Sequence, residues 1–165
     1  MFASYKKHNN KLYNNLVKLS RNKFFYQDLC LEDKIETRIT LIFFHFALIL
    51  QICKNKEEKT QDIFDNIFQN IEYNLREIGH GDVFVNTKMK KLTRVFYDIL
   101  VKLDNLDTNL SKDMEKLIKN YFFNKSKDER INIGKLTSYF DKFKVFCFDL
   151  DVKNMLNGSF NFLYK

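Results

Sequence analysis

The sequence predicts an all-α protein, a single compact bundle of about six helices. Its 165 residues include no proline and only four glycines, whereas β-sandwiches and nucleotide-binding α/β folds need these residues at their turns. Apolar residues recur at spacings of three and four along most of the chain. Hydrophobic residues make up 45% of it, enough for one core, and the length leaves little room for a second, so we expect one domain over residues 1–165.

The first half of the chain predicts three helices. An amphipathic segment at about residues 4–20 is followed by SRNKFFYQD, whose three consecutive aromatic residues predict an ordered loop up to residue 32. A second helix begins near Asp33, with Glu36 placed three residues later as in a capping box. Its most apolar run, TLIFFHFALILQIC, is too short to span a bilayer and predicts a core helix. The third helix, at about 57–78, has an inward face of Ile63, Phe64, Ile67, Phe68, Ile71, Leu75 and Ile78.

The stretch LREIGHGDVFVN, residues 75–86, predicts a helix end and a structured turn. Gly79 is expected to close the third helix in the left-handed conformation, and Gly81 to permit a second sharp turn. VFV then reads as a short extended link to a fourth helix at about 87–104, capped by Asn86 or Thr87. Two roles remain open for Arg76, Glu77 and Asp82: they hold the turn together, or they contact a partner.

The C-terminal half predicts two more helices. One spans about residues 108–123 and begins at Asn109 or Ser111, and the other spans 131–150, although 146–152 alternates and could form a strand instead. The tail NMLNGSFNFLYK keeps enough apolar residues to dock on the bundle.

Charge alone leaves two interpretations. A net charge of +7 suits a polyanion such as ribosomal RNA or an anionic membrane surface. Lysines scattered over solvated helix faces give the same total. The outward residues of the fourth helix, which could meet phosphates, are Lys88, Lys90, Lys91 and Arg94.

No motif predicts catalysis, a metal or a cofactor. The cysteines Cys30, Cys53 and Cys147 are far apart and indicate buried thiols in a reducing compartment. His45 lies on an apolar helix, which is typical of a core histidine, and a lone H-G-D at His80 is a weak metal motif. No G-x-S-x-G elbow, E-x-x-H motif or phosphate loop occurs, and MFASYKKHNNKLY lacks the apolar core of a secretion signal. We therefore expect no catalytic residue, no bound metal or cofactor and no small-molecule substrate.

Several motifs in order resemble the ubiquinol-cytochrome c chaperone family. NLREIGHGDVFVNTKMKKLTRVFY is similar to the family's Asn-Leu-Arg-Glu, Gly-x-Gly-Asp, basic-helix and Phe-Tyr pattern. YNNLVKLSRNKFFYQD supplies the Ser-Arg and Phe-Tyr signature with Ser20, Arg21 and Tyr26, and LEDKIETRITLIFFHFALIL supplies Asp33, Arg38 and His45. The resemblance covers about residues 13–97, the family-like core, and fades in the part from 98 to 165. The chain departs from the pattern at two places. Asn70 stands where the family usually has an acidic residue, and Asp98-Ile99 stand where the family commonly has Gly-Arg.

The resemblance implies an all-helical, non-enzymatic assembly factor. Such a protein holds newly made cytochrome b and promotes assembly of the ubiquinol-cytochrome c reductase complex, respiratory complex III. The resemblance also implies a cytoplasmic location peripheral to the inner membrane, or a location on the matrix side in a mitochondrion. Further partners would be the ribosome or an anionic membrane surface, and a second assembly factor. The alternative function is a basic helical module that binds RNA or the ribosome.

From the resemblance and the residue pattern together we expect two sets of functional residues. One set binds the partner, and the other supports the motif structurally, with His45 as an inner support. The partner-binding residues are Arg21, Arg38, Arg76, Glu77, Asp82, Lys88 and Lys91, and the residues that support the motif structurally are Asp33, His45, Gly79 and Gly81.

Overall fold

Seven α-helices and one π-helical turn make up the regular structure of the described residues. The computed structural model describes residues 10–56, 59–106, 110–123 and 130–164, and these ranges contain no strand. The elements in order are α1 (Lys11–Ser20), the π-helical turn (Phe24–Asp28), α2 (Ile35–Asn55), α3 (Gln61–Glu77), α4 (Asp82–Asp104), α5 (Leu110–Phe122), α6 (Arg130–Phe148) and α7 (Val152–Leu156). The all-α prediction is confirmed, with α7 as an additional short helix.

Helix α2 is the centre of the fold, because apolar residues cover most of its circumference. Its Phe43, Phe44 and Phe46 side chains are fully buried. The Phe43 ring stacks on Phe68 of α3 at 5.5 Å between centroids and meets Phe96 of α4 edge-on at 5.2 Å. Helices α1, α4, α6 and α7 also pack against α2.

Helix α2 is longer than the apolar run at residues 40–53 that was predicted to be too short to span a bilayer. Its stretch Ile35–Lys54 is long and apolar enough to do so by length and composition, and 67% of its most apolar window is buried in the fold. A core helix of a soluble protein passes the same test, so the interpretation of α2 as a core helix rests on its burial.

Three predicted boundaries differ from the structure. Helix α2 begins at Ile35 with no side-chain cap at Lys34, so the capping box does not form and Asp33 pairs with Arg38 instead. Helix α4 begins at Asp82, so VFV is its first turn and not an extended link. Helix α6 ends at Phe148 and α7 begins at Val152, so the strand alternative for residues 146–152 is not observed. The N-terminal part of the predicted first helix, to residue 9, and the Asn109 cap lie outside the described residues.

Two of the three cysteines are buried as predicted, and one is not. Cys53 and Cys147 lie in the core, and burial raises the pKa of the Cys147 thiol to about 12. Cys30 is exposed, and it takes a positive φ of 53° after the π-helical turn.

The C-terminal segment docks across α1, as its apolar residues predicted. Gly158 has a φ of 68°, and a Cβ on it would lie 2.6 Å from the Leu12 backbone, so only glycine fits where the segment crosses the helix. The Asn15 side-chain amide donates to the Gly158 and Phe160 carbonyls at 3.2 and 2.7 Å. Further along, the Tyr164 ring packs on Phe24 at 4.7 Å between centroids.

Candidate functional site

An open cleft lies between α1, α2 and α3. It has a volume of about 290 Å³ and an apolar floor. Charged side chains from all three helices stand at its rim: Arg21 directly after α1, Arg38 on α2 and Glu77 on α3. The structure thus brings together three of the predicted partner-binding residues. The floor consists of the buried residues Ile39, Ile42, Ile71 and Leu75.

One side-chain hydrogen bond lies in the wall of the cleft, and a second lies beside it. Tyr13 of α1 accepts one from the Asn74 amide of α3, and burial raises the pKa of Tyr13 to about 12. The Tyr26 hydroxyl donates to the Ser20 carbonyl at 2.6 Å and ties the π-helical turn to the end of α1. Ser20 and Tyr26 of the Ser-Arg and Phe-Tyr motifs therefore hold backbone in place beside Arg21.

The end of the cleft formed by α1 and α2 is cationic. Arg38 donates to Asp33 Oδ1 from Nε at 2.8 Å and from Nη2 at 2.7 Å. Arg21 is exposed, and no ion pair joins it to another residue in the part of the chain that the structure describes. Lys23 shares with these residues a shallow hollow beside the cleft. Three cations therefore face one carboxylate here.

The turn between α3 and α4 is held by Arg76. Its guanidinium pairs with Glu72 one turn earlier, at 2.7 Å, and with Asp82 at the start of α4. Asp82 also suits its position because a carboxylate in the first turn of a helix interacts favourably with the helix dipole. Glu77 takes no part in this pairing and lines the cleft instead.

The two glycines of the turn differ. Gly79 has a φ of 96° and closes α3 as expected. Gly81 has ordinary extended angles, φ −68° and ψ 160°, before the first residue of α4. A Cβ on Gly81 would meet nothing within 4 Å. The second sharp turn predicted for Gly81 therefore does not require glycine.

Apolar side chains are exposed at this turn. Ile78 is 58% exposed, Val83 82% and Phe84 48%. Ile78 lines the cleft, while His80 stacks on Phe84 at 4.3 Å between ring centroids and shares a hollow with Glu77. The cleft and the turn are therefore contiguous. We call the surface formed by Arg21, Arg38, Glu77, Ile78, Val83 and Phe84 the cleft–turn face.

The two predicted lysines lie outside this face. Lys88 pairs with Glu36 of α2 at 2.7 Å and holds the pKa of that carboxyl below its usual value. Lys91 is exposed on α4 and does not line the cleft.

His45 is fully buried and makes two hydrogen bonds. Its Nδ1 lies 2.6 Å from the Leu41 carbonyl, which can only accept, so Nδ1 carries the proton. Its Nε2 then accepts from the Tyr139 hydroxyl at 2.8 Å, which links α2 to α6. Burial lowers the pKa of His45 from 6.5 to about 4. The imidazole is therefore neutral at physiological pH.

Sequence reasoning missed the exposed apolar residues of the face. Ile78 was predicted to point inward because it continues the spacing of Leu75, but α3 ends at Glu77. The sequence predicts an extended link for Val83 and Phe84, whereas both lie in the first turn of α4. The available signal was Val85, which is buried and begins the series completed by Met89, Leu92 and Phe96. If α4 is extended back to Val85 by that spacing, Val83 and Phe84 fall on its surface.

An open apolar cleft with a charged rim, continued by exposed apolar side chains, defines a module that binds another polypeptide. Among the described residues, no cluster of three His, Cys, Asp or Glu side chains could hold a metal ion.

The family model described as "Ubiquinol-cytochrome C chaperone" matches residues 27–162, most of the chain, and the chain belongs to this family. The likeness thus extends well beyond residue 97, where the motif comparison placed its end. Family membership makes the protein a chaperone in the assembly of the ubiquinol-cytochrome c complex, a non-enzymatic role whose partner is a client protein.

One solved structure shows the same fold. The chain matches the crystal structure of the Cbp3 homolog from Brucella abortus with a TM-score of 0.71 and 21% sequence identity. The match covers 93% of this chain and 87% of that one. The search of curated proteins returned no match.

Proposed function

We propose that the protein binds newly made cytochrome b through the cleft–turn face and so promotes assembly of the ubiquinol-cytochrome c reductase complex. It would act at the cytoplasmic face of the inner membrane, or on the matrix side in a mitochondrion. The chaperone family supports the class of function. The observation that carries the proposal is the exposure of Ile78, which lines the cleft, together with that of Val83 and Phe84 at the start of α4.

Exposed apolar surface is unfavourable in water. Covering such surface gains about 25 cal/mol per Å², and a folded chain exposes a contiguous apolar patch mainly where a partner covers it. A membrane protein that has not yet been inserted offers apolar side chains and polar loops together. The cleft–turn face matches this mixture, because charged groups flank its apolar residues on both sides.

A double substitution tests the proposal. We expect Val83→Ser with Phe84→Ser to reduce the cytochrome b that co-purifies with the tagged protein after crosslinking in cells by about tenfold or more. The client would bury both apolar side chains on binding, and their loss removes more than about 1.4 kcal/mol of binding free energy. Complex III activity in the same membranes should fall with it. Both side chains are exposed, so the variant should keep its fold, which circular dichroism and thermal unfolding would verify.

A matched control exists on α6. Val145 and Phe148 are also a valine and a phenylalanine, and they are 63% and 65% exposed. Val145→Ser with Phe148→Ser should leave the co-purified cytochrome b unchanged. Loss in this control alone would place the client at the end of α6. Absence of cytochrome b from the wild-type eluate would contradict the proposed client altogether.

A further inference from the structure

We infer that the cleft selects a client segment in which an apolar side chain lies next to a carboxylate. The inference rests on the proposed function and specifies the chemistry of the segment that this face holds.

The size of the cleft limits what enters it. A volume of about 290 Å³ lies at the lower end of the range for small-ligand pockets. It accommodates one large side chain, not a whole transmembrane helix. The floor is formed by Ile39, Ile42, Ile71 and Leu75. The polar side chains that also line the cleft already have partners, because Asn74 donates to Tyr13 and Ser20 donates to the Val17 carbonyl. The inserted side chain is therefore apolar.

The charges at the rim select what lies beside it. Arg21 and Arg38 stand at the end formed by α1 and α2, with Lys23 close by and Asp33 as the only carboxylate lining the adjoining hollow. Asp33 takes the Nε and Nη2 groups of Arg38, and no described residue forms an ion pair with Arg21. A carboxylate of the client would complete this constellation, because guanidinium and carboxylate groups match as charge-assisted hydrogen-bond partners.

Glu77 gives the bound segment a direction. It stands on α3, across the cleft from the helices that carry the two arginines. A client carboxylate turned toward Glu77 would meet a like charge, whereas one turned toward Arg21 meets cations. The apolar floor strengthens both effects, since charges beside low-dielectric surface are screened less than charges in open water.

The absence of tryptophan from the sequence allows a direct binding measurement. Indole fluorescence of an added peptide then comes from the peptide alone. We would titrate the full chain into four short peptides of one neutral host sequence, which carry Trp-Glu, Trp-Gln, Trp-Lys or Ala-Glu at the centre. The Ala-Glu peptide carries a fluorescein label and is followed by anisotropy. Trp-Glu should bind about tenfold more tightly than Trp-Gln, as for one charge-assisted hydrogen bond, and Trp-Lys and Ala-Glu should bind least.

Four variants at three positions locate the effect. Arg21→Gln should bring the ratio between Trp-Glu and Trp-Gln close to one, and Arg21→Glu should make Trp-Lys the preferred peptide. Lys18→Gln is the matched control, because Lys18 is exposed on the same helix and does not line the cleft. It should leave the ratio unchanged. Val17→Phe, which fills the cleft from its half-buried wall, should weaken all Trp peptides alike.

Each contrary result has a distinct meaning. Equal binding of Trp-Glu and Trp-Gln, or a preference that survives Arg21→Gln, overturns the inference. If that happens while cytochrome b still co-purifies and is lost from the Val83 and Phe84 variant, the proposed function stands without it. If the peptides bind selectively but cytochrome b never co-purifies, the chemistry of the cleft stands and the client is another protein with an acidic and apolar segment.

Discussion

His45 shows how a single buried side chain ties stability to pH. Its imidazole is neutral in the folded chain because Leu41 and Tyr139 fix its tautomer and the surrounding rings exclude water. Of the rings around His45, that of Phe143 is nearest, at 4.8 Å between the ring centroids. An unfolded chain would leave the same imidazole with its usual basicity. Protonation therefore favours the unfolded state.

We predict a loss of stability between about pH 6.5 and about pH 4 that depends on His45. The folded pKa, about 4, is below the ordinary value of 6.5, so the unfolded chain takes up its proton first as the pH falls. The loss should reach about 3 kcal/mol below pH 4. Denaturant unfolding across this range, compared with His45→Gln, would measure it. Equal pH slopes for the two proteins would contradict the prediction, because carboxylates titrate alike in both.

Gly158 should tolerate no side chain, whereas Gly134 should tolerate one. At Gly158, a Cβ would lie 2.6 Å from the Leu12 backbone and φ is 68°, so we expect Gly158→Ala to cost about 3 kcal/mol. Gly134 lies within α6 with open space around it. Gly134→Ala should stabilise the fold by about 1 kcal/mol. Thermal unfolding would show shifts of opposite sign, and a shared sign would show that the close approach to Leu12 does not control stability.

Residue-level prediction from the sequence succeeded where one local rule decides the outcome. Gly79 followed the last helical turn and takes a positive φ, as helix ends favour. The need for Gly158 could not be predicted from the sequence, because the atoms that exclude a Cβ there belong to α1, far away in the sequence.

The reason for Asn70 also depends on its place in the fold. Its amide donates to the Asn66 carbonyl at 2.7 Å in a buried position, where the acid usual in the family would be neutral or need a partner.

At the scale of elements, the ends of helices were harder to predict than the helices themselves. The periods of α2, α3 and α4 are strong because each buries one long apolar stripe. Their ends depend on a few polar contacts that no period records. Asp33 forms an ion pair with Arg38 and does not cap the start of α2. Asp98 stands where the family has glycine, and its carboxylate accepts hydrogen bonds from Lys102 and from Tyr121 of α5.

Removing Arg76 should loosen the turn without unfolding the protein. Its guanidinium bridges Glu72 and Asp82, and the Asp82 side chain is 84% exposed, so solvent screens that pair. In Arg76→Ala, amide hydrogen exchange at residues 78–85 should become faster while the global unfolding midpoint stays nearly constant. Arg94→Ala is the control, because Arg94 is exposed on α4. A large fall in the midpoint would show that the pair supports the core.

At the scale of the whole molecule, the +7 charge admits an alternative partner that can be tested separately. Lys88 and Lys102 are engaged in ion pairs with Glu36 and Asp98, whereas Lys90, Lys91 and Arg94 are exposed. We expect a triple substitution of these exposed cations to glutamine to leave cytochrome b co-purification unchanged. Binding to bare RNA should be weak, salt-dependent and lowered by the same change. If RNA binding instead persists tightly at physiological salt and cytochrome b is absent, the nucleic-acid function takes precedence.

The global architecture was the most predictable level, since the scarcity of glycine and proline and the helical periods pointed to one class of fold. What the sequence could not predict is which surface remains open. Cleft and core are lined by the same residue types, as Ile42 and Ile49 show, and only the packing of three helices leaves space above one of them. The prediction of one domain over residues 1–165 stays a prediction.

The crossing of the C-terminal segment over α1 also has a consequence during translation. Tyr164, which packs on Phe24, is made roughly 140 residues later, and a ribosome adds about 5–20 residues per second. For roughly 7 to 30 seconds, therefore, the nascent chain carries Phe24 without the Tyr164 ring that covers it in the folded protein. A member of a chaperone family thus passes through an unshielded stage of its own, and slower elongation prolongs it.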